Sequence, residues 1–139
     1  MIQSLRNLPA LLFLACLLAS SLFVANAQAY EMYGRWAGTY YYSDGRPPVN
    51  FTLEVITPGT SFYGQIIEPN TFGNSGNRFL YSDVDGQIYK DGSIRFYKYY
   101  DGSGGVSHMV QYDGWFTNHG IEGTWSVDNA WGDFVLYPE

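Results

Sequence analysis

The stretch Asp91-Gly92-Ser93-Ile94-Arg95-Phe96-Tyr97-Lys98-Tyr99-Tyr100-Asp101-Gly102 sets a period-two run between two Asp-Gly turn signals. Ile94, Phe96, Lys98 and Tyr100 fall on one face, and Arg95, Tyr97 and Tyr99 on the other. Aromatic and β-branched residues in this rhythm fit a pleated, half-buried surface, and a glycine after aspartate supplies the positive φ of a tight hairpin. The stretch therefore reads as an antiparallel strand entered and left through turns, with one charged residue, Lys98, in its inward phase.

The same pattern recurs on both sides. Past residue 30 no window carries apolar residues at helical spacing, whereas alternating runs recur between Gly, Asp, Asn and Pro clusters. A first strand is expected over Arg35–Tyr42, with Trp36, Gly38, Tyr40 and Tyr42 on one face, ending at Ser43-Asp44-Gly45-Arg46-Pro47-Pro48. A second covers Asn50–Thr57 with Phe51, Leu53 and Val55 inward, and a third Phe62–Glu68 with Phe62, Gly64 and Ile66 inward. The longest connection, Pro69–Asn77, leads to a fourth strand, Arg78–Tyr89, expected to bulge at Asp85-Gly86. Asp91-Gly92 reads as a two-residue hairpin into the fifth strand, Ser93–Tyr100.

The sixth strand, Val106–Phe116, aligns His108, Val110, Tyr112 and Gly114; the seventh aligns Ile121, Gly123 and Trp125; the eighth, after Asp128–Trp131, carries Phe134 and Leu136. The fold class is all-β, an antiparallel up-and-down meander of about eight strands. Closure into a small barrel removes the edges that an open sheet would expose, with a sandwich as the rival arrangement. Gly38, Gly64, Gly114 and Gly123 favour the barrel, because a missing side chain in the inward phase relieves crowding where strands coil strongly.

Residues 1–27 have a different character. A short polar start with Arg6 precedes an apolar run from Leu8 to Val24, and then comes the small-x-small pattern Ala25-Asn26-Ala27. This is the pattern of a secretory signal peptide, with an alternative cut after Ala29. The run is near the minimum length for a membrane span, but the cleavage pattern favours removal, and no later stretch is long and apolar enough to cross a bilayer. Residues 28–139 are then a single β-barrel domain, extracytoplasmic, either periplasmic or secreted, with no transmembrane segment. The sole cysteine, Cys16, lies in the leader, within a poor lipoprotein-type box. Stability must therefore come from a packed core without disulfides.

The 139 residues carry 7 Lys and Arg against 13 Asp and Glu. An acidic chain with scattered basic residues argues against nucleic acid as a partner. No nucleophile elbow, phosphate loop or zinc-protease motif occurs, and a mature chain without cysteine has no thiol nucleophile. His108 and His119 have no partner motif, so neither a metal nor any other cofactor is expected.

Gly34-Arg35-Trp36 at the head of the first strand, followed by an aromatic-rich meander, resembles the Gly-x-Trp opening of lipocalins and the wider calycin superfamily. That resemblance implies an eight-stranded barrel with the tryptophan packed at its closed base and a small apolar ligand inside. Two features depart from it: no arginine follows Arg95, and the chain ends directly after the eighth strand, where lipocalins add a helix. The layout is closer to a minimal lipocalin-like or avidin-like barrel.

In a meander, the connections 43–48, 69–77, 101–105 and 128–131 collect at one rim, opposite Trp36. The inward-phase residues near that mouth are Tyr42, Phe51, Lys98, Tyr100 and His108, with Trp131 expected on a loop above, and these form the candidate ligand site. Aromatic-lined barrel mouths with a few polar groups suit small, partly apolar or aromatic molecules. An inward lysine is costly unless it is solvated at the mouth or paired. The rival reading is a surface recognition module in which outward Tyr97, Tyr99 and Trp115 stack on a glycan or dock on another protein, inhibition of that protein included. Catalysis is the least supported reading, although paired carboxylates among the 13 acids leave it open.

Overall fold

A computed structural model describes residues 30–74 and 76–139; the leader, its two cleavage patterns and Cys16 lie outside the described residues. Eight strands follow in chain order: β1 Arg35–Tyr40, β2 Val49–Thr57, β3 Ser61–Pro69, β4 Phe79–Ile88, β5 Ser93–Tyr100, β6 Met109–Phe116, β7 Ile121–Val127 and β8 Ala130–Pro138. Each pairs antiparallel with the next, and β1 pairs with β8 from Trp36↔Pro138 to Tyr40↔Phe134, so the sheet closes into a barrel. The chain is thus an all-β up-and-down meander, and the sandwich alternative is excluded by that last pairing. No helix among the described residues is long and apolar enough to cross a membrane.

Alternation sets the inside. Phe96 stacks on Tyr112 with ring centroids 4.6 Å apart, and Phe134 meets both edge-on, which fills the middle of the barrel. Two glycines make room for rings. Gly38 lies opposite Phe51 and Gly86 opposite Phe62, and in each case a Cβ would run into the facing ring. Gly86 is therefore not the bulge expected at Asp85-Gly86: β4 pairs without interruption there, because the missing side chain is occupied by Phe62. The irregularity lies instead in β2, between Val55 and Thr57.

Other boundaries also shift. The β4–β5 corner is Lys90-Asp91, closed by Gly92 N–H donating to the Tyr89 carbonyl at 3.0 Å, with Gly92 at φ 86°. The left-handed glycine thus follows a longer turn and does not sit in a two-residue one. The expected connection 128–131 shrinks to Asp128-Asn129, with Asp128 at φ 40°, and pairing resumes at Val127↔Ala130. Aspartate and asparagine tolerate this left-handed corner, which draws Trp131 into β8. β1 stops at Tyr40, and β6 starts only at Met109.

Short turns 58–60, 89–92 and 117–120 gather at one end. There Met32 bridges to Gly59 and is fully buried, and Trp36 packs edge-on to Phe116 at 6.5 Å. The connections 41–48, 70–78, 101–108 and 128–129 gather at the other.

Candidate ligand site at the barrel mouth

The inward phase of β3 continues through Phe62, Gly64 and Ile66 to Glu68, one residue before the strand ends. The inward phase of β5 carries Lys98, and that of β1 carries Tyr40. Closure of the sheet brings these three strands around one interior point near the mouth. Lys98 Nζ donates to Glu68 Oε2 at 2.8 Å, and Glu68 Oε1 accepts from the hydroxyls of Tyr100 at 2.7 Å and Tyr40 at 3.2 Å. Both charged residues are 1% exposed.

Around the ammonium stand three rings: Tyr100 with its centroid 4.6 Å away, Tyr40 at 5.0 Å and Tyr112 at 5.6 Å. Desolvation by burial pushes the Lys98 ammonium below its ordinary value, and the carboxylate of Glu68 pulls it back. Burial, reinforced by the Glu68 charge, drives the phenols of Tyr40, Tyr100 and Tyr112 far above the ordinary tyrosine value, so all three stay protonated. Ser82 Oγ, buried on β4 and facing Tyr100 across the ladder, has no hydrogen-bond partner.

Over this polar floor lies a cavity of about 200 Å³ that opens at the rim. Tyr42, Tyr100, His108, Trp125 and Phe72 are among the side chains that wall it. Phe72 comes from the long 70–78 connection and meets Tyr100 edge-on at 5.7 Å, with the His108 ring 6.0 Å away. The Arg46 guanidinium lies 3.9 Å from the centre of the Tyr42 ring and is paired with Asp44 at 3.0 Å. Trp125 Nε1 donates to the Tyr41 carbonyl at 2.8 Å, which holds the indole in the wall. Partial burial, aided by the Lys98 charge, lowers the His108 pKa from its ordinary value and favours the neutral ring.

Tyr42, Lys98, Tyr100 and His108 are thus brought together, although Tyr42 and His108 lie just beyond the ends of β1 and β6 and not within them as expected. Phe51 is not in the wall: it lies below, 6.1 Å from Tyr40 and 6.4 Å from Tyr112, with its ring over Gly38. Trp131 was expected on a loop above the mouth and lies instead in β8. As a β8 residue of the outward phase it is 59% exposed, on the outer face of the rim, and it does not line the cavity. Sequence reasoning missed Glu68, although it shares the inward phase of β3 and is the complement that an inward lysine demands. It also left out Phe72 and Arg46, which reach the mouth from loops, where alternation gives no guidance.

On the outside, Tyr99 is exposed and Tyr97 half-buried, with ring centroids 6.4 Å apart. Trp115 is exposed but does not join them, because the Arg95–Asp113 pair at 2.6 Å stands between along β5 and β6. Comparison of the chain with family models, curated proteins and solved structures gives no match.

Proposed function

We propose that this chain is a non-enzymatic, extracytoplasmic binding protein, a minimal lipocalin-like or avidin-like barrel that holds a small, partly apolar molecule at its mouth. The observation that carries this reading is the 200 Å³ cavity laid over the buried Lys98–Glu68 pair. A buried ion pair is seldom needed for stability, since apolar side chains of similar volume usually serve as well or better. Its position at the floor of an aromatic-walled opening suits recognition: rings for apolar surface and a few directed polar groups for orientation. The volume is small. A cavity of about 150 Å³ already accepts benzene, so one ring with a short substituent is the expected ligand size.

Titrating the purified protein with small aromatic and short-chain compounds, with tryptophan fluorescence as the readout, tests this. Trp125 lines the cavity and should report a saturable change that is lost when Val110→Trp fills the space. Absence of any saturable response across the panel would remove the reading.

A second reading rests on the outer wall of β3 to β5, where Tyr63, Tyr81 and Tyr99 are exposed around Asp83 and Asp85. Rings and acceptors interleaved on a sheet face suit a glycan. Retention on immobilised polysaccharide that falls in Tyr81→Ala/Tyr99→Ala would support this second reading, and unchanged retention would count against it.

A further inference from the structure

The hydrogen-bonding capacity left over at the mouth specifies the ligand more closely than size does. This step rests on the proposed binding function and refines it. Lys98 has three N–H groups, and one of them is taken by Glu68 Oε2. Among the described residues it is otherwise faced by the rings of Tyr40, Tyr100 and Tyr112, which attract the cation but accept no strong hydrogen bond. Glu68, by contrast, already accepts from three donors. Trp125 Nε1 is committed to the Tyr41 carbonyl. The neutral His108 ring offers one donor and one acceptor. Among the described residues the floor is thus richer in donors than in acceptors: two Lys98 N–H groups and the Ser82 hydroxyl stand without a partner, while Glu68 keeps about one acceptor site.

Charge narrows the choice. Lys98 is neutralised by Glu68, and Arg46 at the rim by Asp44, so neither cation of the mouth offers uncompensated positive charge. A carboxylate ligand would give up its hydration for a cation already compensated 2.8 Å away, and a ligand ammonium would face Lys98 directly. A neutral oxygen acceptor meets the free ammonium N–H groups without either cost.

We infer that the mouth selects an uncharged, single-ring molecule bearing a carbonyl-type oxygen, with that oxygen directed at Lys98 and the ring among Tyr42, Phe72, Tyr100 and Trp125.

The test is a calorimetric titration of the purified protein with four probes of matched size: acetophenone, benzoate, benzylamine and ethylbenzene. Acetophenone should bind at least tenfold more tightly than each of the other three. The paired variant Glu68→Gln/Lys98→Met, which removes both charges together, should bind acetophenone and ethylbenzene equally. Benzoate or benzylamine matching acetophenone would overturn the inference while leaving a ligand-binding mouth. Ethylbenzene matching acetophenone on the unaltered protein would do the same, because the acceptor would then contribute nothing. Failure of all four to bind would remove the binding reading itself. These outcomes are read on the unaltered chain, so the inference stays testable even if the paired variant does not fold.

Discussion

The two ends of the barrel are built from the same alternation and come out differently. At the base, Met32 and Trp36 plug the space, Tyr30 lies 4.9 Å from Phe116, and the turns are short. At the mouth, the equivalent inward positions of β3 and β5 are Glu68 and Lys98, the loops are longer, and space remains. Each end has one buried tryptophan whose indole N–H is satisfied by a nearby carbonyl: Trp36 by Tyr33 at 2.9 Å, Trp125 by Tyr41 at 2.8 Å. The architecture is thus shared, and the contrast comes from two charged side chains and from loop length. An end filled with apolar side chains can be closed tightly. An end with a charged floor must leave those groups paired or reachable.

The sharpest way to break the contrast is to remove one charge. Lys98→Met leaves Glu68 buried without its cation, and Glu68→Gln leaves Lys98 without its anion. Each should cost about 3–5 kcal/mol in urea unfolding, since an uncompensated buried charge is far worse than none. The paired variant should recover most of that loss, turning the mouth electrostatically into a second base. If the two single losses simply add in the pair, the groups do not act as a unit.

Next in size is the response to alkali. In the folded chain Tyr40, Tyr100 and Tyr112 keep their protons far above the usual phenol value, whereas in the unfolded chain they ionise near pH 10. Above that pH the folded state binds more protons, so stability falls as pH rises, by about 1.4 kcal/mol per pH unit for each phenol. The depressed Lys98 works the other way, but only until the unfolded lysine also loses its proton, near pH 10.4. Absorbance of tyrosinate should therefore rise in two stages, with the last phenols appearing together with unfolding. A single smooth titration of all 13 tyrosines would contradict the buried cluster.

A smaller effect is expected between the two ends. Gly38→Ala should cost about 1–3 kcal/mol, because the new Cβ enters the Phe51 ring. Phe51→Leu in the same chain should relieve part of the loss, and no relief would mean that the cost comes from strand β1 itself.

The closed meander was legible because every strand alternates and the turn residues punctuate it; Ile94, Phe96, Lys98 and Tyr100 all lie inside as their spacing requires. Four residues that line the cavity were legible too: Lys98 and Tyr100 by their phase on β5, and Tyr42 and His108 because each lies within two residues of a strand end and keeps that strand's phase. Trp131 was misplaced because Asp128-Asn129 makes a corner of two residues, and a connection shorter by two moves a residue from loop to strand. Phe72 and Arg46 could not be read, since a loop side chain's direction depends on where the loop returns, which is a property of the closed barrel. Glu68 is the instructive omission. Once an inward lysine is recognised, the complementary search is for an inward acid near the same rim, and Glu68 in the phase of Phe62 and Ile66 meets both conditions.

The last and smallest change tests whether the base is independent of the mouth. Trp36→Phe keeps an aromatic plug against Phe116 but deletes the indole N–H that donates to the Tyr33 carbonyl. One net hydrogen bond is worth about 1 kcal/mol, and the smaller ring gives up some buried apolar surface besides. The carbonyl of Tyr33 belongs to the segment leading into β1, where Tyr33 is exposed, so water can take over its unpaired oxygen and limit the cost. A drop of about 1–2 kcal/mol in urea is expected, with acetophenone affinity at the mouth unchanged, since the aromatic stack of Phe96, Tyr112 and Phe134 separates the two ends. A change in that affinity comparable to the change in stability would mean that the stack transmits the loss, and that the two ends form one cooperative unit.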